Sequence, residues 1–126
     1  MIAYSFHGPK RYSIIAFHPN GVKTSKIYVK RVIGLPGETI QIHDGKVYIN
    51  GSVLEDDVSE DDILTAGLAA GELTLGENEY FVLGDNREHS VDSRSGDVGP
   101  VERDMIIGRA AFRLWPFKAV GSLKYQ

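Results

Sequence analysis

The sequence predicts a mainly β domain, antiparallel and barrel-like, occupying residues 1–126 as a single unit with a short helical or irregular excursion near 55–75. Short apolar runs that alternate with polar residues recur along the chain. Turn dipeptides separate those runs: Asp44-Gly45 suits a tight hairpin turn, and Asn50-Gly51 supplies another turn signal. Neither an internal repeat nor a low-complexity linker divides the chain. Short strands joined by turns favour an all-β or β-rich domain over a βαβ arrangement.

The elements follow in order. "SIIAF" at 13–17 is a short apolar strand ended by the turn signal "HPNG". "KIYVKRVIGLPGE" then presents two faces, with Ile27, Val29, Arg31 and Ile33 on one and Tyr28, Lys30 and Val32 on the other. Pro36 and Gly37 stop it. In "TIQIHDGKVYING" Ile40 and Ile42 alternate inward, Asp44-Gly45 turns, and Val47 and Ile49 alternate back. From 55 to 71 an acidic run leads into "ILTAGLAAG", where Ser59 or Asp61 is a candidate helix cap and two glycines oppose a helix; the segment reads as an exposed excursion between two β units. "EYFVLGD" and "MIIGRAAFRLWP" return to strand, and "AVGSLKY" is a further candidate. Trp115-Pro116 reads as a core anchor closing its strand.

Composition narrows the function classes. Apolar residues make up 42% and charged residues 25% of the 126, ordinary for a globular protein. A net charge of −3 offers no electrostatic case for nucleic acid. With no cysteine, disulfides, thiolate nucleophiles and Cys-ligated zinc are excluded. No stretch reaches the ~18 apolar residues a membrane span needs and no signal peptide is visible, so the chain is expected to be soluble.

Two places carry candidate chemistry. Lys30 sits between Tyr28 and Val32 on an apolar strand. It reads either as an edge lysine that snorkels its amine into water, the usual fate, or as a buried amine. Burial disfavours the ammonium, and a neutral amine can take a proton from a hydroxyl, as in Ser–Lys pairs. Arg31, facing the other way, reads as an ordinary surface charge. The second place is "GDNREHSVDSR" at 84–94, where Asp85, Arg87, Asp92 and Arg94 surround Ser90. On composition alone a solvated turn with weak ion pairs, Asp85 with Arg87 or Asp92 with Arg94, ranks first. A rigid scaffold presenting the Ser90 hydroxyl ranks second. A calcium loop ranks last, because the acidic spacing and the missing central glycine do not fit. His7, His18, His43 and His89 form no ligand-spaced set and read as separate surface or turn positions.

Taken in order, "YVKRVIGLPGE", "GDNREHSVDSR" and "GDVGPVERDMIIGRAAFRLWP" resemble the type I signal peptidases of bacteria, membrane-bound Ser–Lys endopeptidases. "DGKVYINGSVLED" resembles the hairpin that follows their lysine strand, and the likeness covers about residues 8–117. The resemblance implies a β-rich catalytic domain on the extracytoplasmic face of the cell membrane, removing signal peptides from exported preproteins after small residues, without a cofactor. It places Lys30 at the general-base position and Ser90 where a second serine orients the lysine. Asp85, Arg87, Asp92 and Arg94 fall at structural and salt-bridging positions. Ile27, Tyr28 and Val29 fall on the strand that pairs with the substrate backbone and helps line its small side-chain pockets.

The chain departs from the family pattern at one place. The nucleophile of the family lies upstream in a "Ser-Met-x-Pro-Thr"-like motif after a transmembrane anchor, and the serines before Lys30, namely Ser5, Ser13 and Ser25, lack the following proline. Tyr12-Ser13 stands where a Gly-Asp pair is usual. The chain is therefore expected to begin after the nucleophile and anchor, or to have lost them, and to be inactive alone. A non-catalytic peptide-binding or assembly-chaperone module is the alternative; a self-cleaving repressor on a similar fold fits the "GDNRxxSxDSR" pattern less well.

Overall fold

The computed structural model describes residues 8–19, 26–55, 62–108 and 124–125. Among them run ten strands: β1 Ile14–Phe17, β2 Tyr28–Gly34, β3 Thr39–His43, β4 Lys46–Ile49, β5 Ser52–Val53, β6 Leu73–Thr74, β7 Glu79–Leu83, β8 Val101–Glu102, β9 Ile106–Gly108 and β10 Lys124–Tyr125. They form two sheets. The first has the order β8-β7-β2-β1-β9, with β10 also on β2, and the second has the order β5-β4-β3-β6. Every described pairing is antiparallel except β10 on β2. The β-rich expectation is met.

Local chemistry builds the second sheet. His43 pairs with Lys46 and Ile49 with Ser52, so both hairpins have two-residue loops. Their loop residues, Asp44-Gly45 and Asn50-Gly51, all have φ between 52° and 88°. That left-handed pair of conformations is what a type I′ turn demands and what Asx-Gly supplies.

Period-two alternation splits the apolar residues of the first sheet between two cores. Ile33, Phe81 and Leu83 face Ile40, Ile42, Val47 and Leu75, joining the two sheets. Val32, Tyr80 and Val82 face the other way and pack with Ile15, Phe17, Val98 and Val101. Strand β2 is thus buried on both sides, and Lys30 shares the face of Val32.

The edges of β2 are used unequally. Strand β1 covers one edge from Tyr28 to Arg31. On the other edge β7 pairs only from Arg31 to Gly34, with a register shift between Val32 and Gly34. The Tyr28–Val29 stretch left open by β7 is taken by β10, running parallel with Lys124 opposite Tyr28 and Tyr125 opposite Val29.

The "GLPGE" turn after β2 is tied back by charge. Arg11 grips Glu38 through two bonds of 2.8 Å and also donates to the Ile33 carbonyl at 3.0 Å. Burial opposes ionisation of Glu38, but the Arg11 fork, the Leu35 N–H and the Arg11 charge outweigh it, so its carboxyl titrates below the ordinary glutamate value. The guanidinium is correspondingly raised by its bonds to Glu38. Such a depressed carboxyl stabilises the fold fully above the unfolded value of about 4.3 and loses that contribution as pH falls through the lower folded value. Chemical denaturation between pH 6 and pH 3 is expected to show an acid-side loss of stability that is shallower in Glu38→Gln.

The excursion is less exposed than the sequence suggests. Leu64 and Leu68 face solvent, but Ile63 and Ala69 are buried in the inter-sheet core. Its regular elements among the described residues are a 3-10 turn, Gly67–Ala69, and the two-residue strand β6. The caps expected at Ser59 or Asp61, the continuation of β9 to Trp115-Pro116 and His7 lie outside the described residues.

Candidate active site

Strand β2 and the 84–94 loop meet at Lys30. Its side chain is 2% exposed, so the snorkelling reading is corrected. The strand that carries it packs against a core on each face. The amine donates to Ser90 Oγ at 2.9 Å and lies 5.7 Å from the centre of the Tyr28 ring. Sixty residues of sequence separate Lys30 from Ser90.

The loop around Ser90 is a scaffold instead of a solvated turn. Asp92 is fully buried, and Arg87 and Arg94 are nearly so. Arg94 forks onto Asp92 with Nε to Oδ1 and Nη2 to Oδ2 both at 2.9 Å. The same carboxylate accepts the Gly84 N–H at 3.0 Å, joining the two ends of the loop. Arg94 Nη2 donates to the Arg87 carbonyl at 2.6 Å, and Arg87 Nε to the Gly84 carbonyl at 2.7 Å. Each buried charge is thus bonded, which burial requires. Metal-ligand clusters of three or more His, Cys, Asp or Glu residues are absent among the described residues.

Asp85 takes a partner the sequence did not suggest. Arg31 forks onto it from β2, Nε to Oδ1 at 2.9 Å and Nη2 to Oδ2 at 2.8 Å, and donates through Nη1 to the Tyr12 carbonyl at 3.0 Å. The surface reading of Arg31 is therefore corrected: this pair bolts the start of the loop to the strand that carries Lys30. The signal was present, because Arg31 alternates with Val29 and Ile33 on an apolar face, as Lys30 does between Tyr28 and Val32. Ser93 was also missed. It exchanges bonds with Val82 of β7, donating its N–H to the Val82 carbonyl at 3.0 Å while its Oγ accepts the Val82 N–H at 2.9 Å. A loop serine of this kind carries no distinguishing signal in composition.

The remaining candidates divide. Ile27 and Tyr28 are half-buried beside the open stretch of β2, but the Val29 side chain is fully buried against Ala16 and reaches no open pocket. Its backbone, paired with β10, is the part placed at the edge. His43 and His89 are exposed and His18 is half-buried.

The family model for signal peptidase, peptidase S26, matches residues 1–115. This chain belongs to that family. Signal peptidase I of Leptolyngbya laminosa is 40% identical over 128 residues, covering 97% of this chain and 61% of the relative. Probable signal peptidase I-2 of a Synechocystis strain is 35% identical over 126 residues, covering 97% of this chain and 56% of the relative. Signal peptidase IB of Staphylococcus aureus is 32% identical over 132 residues, covering 93% and 66%. The chain therefore spans between 56% and 66% of the length of these signal peptidase relatives. A solved signal peptidase I from Enterococcus faecalis V583 matches with a TM-score of 0.62 at 37% identity, covering 83% of this chain and 98% of that one.

Proposed function

We propose that this chain is the base-bearing part of a signal peptidase I active site, acting on the signal peptides of exported preproteins. The observation that carries the reading is the Lys30 amine, 2% exposed and 2.9 Å from Ser90 Oγ. An amine withdrawn from water holds its proton less tightly. In the proposed reaction neutral Lys30 Nζ takes the proton of a serine hydroxyl as that oxygen attacks the scissile carbonyl. The amine then returns a proton to the departing amino group, and in deacylation it activates water. Ser90 is the positioning residue that aims the amine, and Asp85, Arg87, Asp92 and Arg94 hold Ser90. An extended peptide adds to β2 along Tyr28–Val29 in the place of β10, recognised mainly by its backbone.

The nucleophile belongs to a Ser-Met-x-Pro-Thr-like segment that this sequence does not contain, and the family's membrane anchor precedes that segment. In this reading the domain works on the extracytoplasmic face of the cell membrane. Retention of both Lys30 and Ser90 favours an enzyme over a pure peptide-binding module, which has no use for a poised base.

The test is cleavage of a preprotein. The 126-residue chain alone is expected to give no product above background, and a version preceded by the serine-bearing segment is expected to cleave at the signal-peptide junction. In that version Ser90→Ala is expected to lower kcat by about 10²–10⁴-fold with KM within a few-fold. Correct cleavage by the chain alone, abolished in Lys30→Ala, would overturn the proposed absence of a nucleophile.

A further inference from the structure

We infer that Gly67 is a positioning residue, which lets the 62–71 excursion close on the Arg94 carbonyl and so keeps Ser90 against Lys30; this rests on the Lys30 reading above. Gly67 has φ +58°, and a Cβ there would lie 2.2 Å from the Arg94 carbonyl oxygen and 2.9 Å from its carbon. Both the backbone conformation and the space therefore call for glycine. Gly71, in the same segment, meets nothing within 4 Å, and neither do Gly37 and Gly51 despite positive φ. Gly37 and Gly51 serve turns; Gly67 serves a contact.

The contact is a two-way clasp. The Leu68 N–H donates to the Arg94 carbonyl at 2.8 Å, while Arg94 Nη1 reaches back to the Thr65 carbonyl at 3.1 Å. Arg94 cannot yield to a methyl group alone, because its fork also holds Asp92 at 2.9 Å and the Arg87 carbonyl at 2.6 Å. Ser90 lies in the chain between those two residues. Excursion and loop share a cleft of about 190 Å³, lined by Thr65 and Gly67 from one and Ser90, Asp92 and Arg94 from the other. Widening this seam moves the Arg94 backbone and loosens the arc that presents the Ser90 hydroxyl. A displacement of ~1 Å at a catalytic group is enough to cost about 10²-fold in rate.

The experiment follows the titration of the Lys30 side chain by NMR in the whole chain, comparing the parent with Gly67→Ala and Gly71→Ala. In Gly67→Ala the Lys30 midpoint is expected to move about half a pH unit or more toward the ordinary lysine value of about 10.4, as water reaches the amine. Gly71→Ala is expected to leave it in place, and the amide spectrum of the sheets should be retained in both. A folded Gly67→Ala with an unmoved midpoint overturns the inference, since a purely structural glycine alters stability without retuning Lys30. Should Gly67→Ala not fold, Leu68→Pro decides: it removes the N–H that the exposed Leu68 donates to the Arg94 carbonyl, and an unmoved midpoint there is equally fatal. A parent Lys30 that titrates as an ordinary lysine removes the base itself, and the inference with it; a perturbed parent unmoved by either variant removes the inference alone.

Discussion

Lys30→Ala is expected to lower kcat/KM of the nucleophile-bearing enzyme by about 10⁴-fold or more while leaving the fold intact. The magnitude follows from the role. A general base alone contributes about 10²–10⁴, and removing one member of a mutually dependent catalytic unit forfeits nearly all that the unit supplies. Retention of the fold follows from the surroundings. Lys30 is 2% exposed on a strand covered on both faces, so its amine is costly to bury and its removal relieves that cost while opening a cavity beside Tyr28. Lys30→Met, which keeps most of the volume and lacks a base, separates the two effects: it should be as inactive as the alanine variant and more stable. Preprotein cleavage and denaturant unfolding of the two variants are the measurements. Activity of either variant within tenfold of the parent would rule out Lys30 as the base.

The second large effect concerns the scaffold. Asp92→Ala is expected to destabilise the domain by about 3–5 kcal/mol, the usual consequence of stripping one partner from a buried ion pair. Asp92 is fully buried; its removal leaves the Arg94 guanidinium, 7% exposed, without its counter-ion and the Gly84 N–H without its acceptor. The Arg31–Asp85 pair, more open at 17% and 27% side-chain exposure, should matter less to stability when Asp85 is replaced by alanine. A double variant, Asp92→Ala with Arg94→Met, should recover part of the loss, because it removes the orphaned charge along with its partner. Urea unfolding reads all three. A cost below about 1 kcal/mol for Asp92→Ala, the range of a surface pair, would mean that the loop is solvated after all.

The fold was largely legible because its signals are local. Alternation placed β2 with its two faces, Asp44-Gly45 located one hairpin and Asn50-Gly51 marked a further turn, since only a few residue pairs tolerate the left-handed conformations such turns need. The excursion was less so. Nothing nearby in sequence shows that Ile63 and Ala69 reach the inter-sheet core, or that Gly67 lies against Arg94. At the site, Lys30 was conspicuous as a charge on an apolar strand. The same reasoning applied to Arg31 would have marked it too, yet its partner Asp85 lies 54 positions away. Asp92 and Arg94 stood out as neighbours, whereas the choice between solvated pair and buried clamp depends on whether water reaches them.

By itself, then, the sequence determined the longer strands β1 to β4 and β7, the turn chemistry and a set of residue types able to make a Ser–Lys site. Only the tertiary structure decided that Lys30 is sealed from water and meets Ser90, that Arg31 anchors the loop through Asp85, and that β7 leaves the Tyr28–Val29 edge to another strand. The physical reason is that alternation and turn propensity act over a few residues. Desolvation and hydrogen-bond partnership are properties of a location in space, set by the register with which distant strands pair.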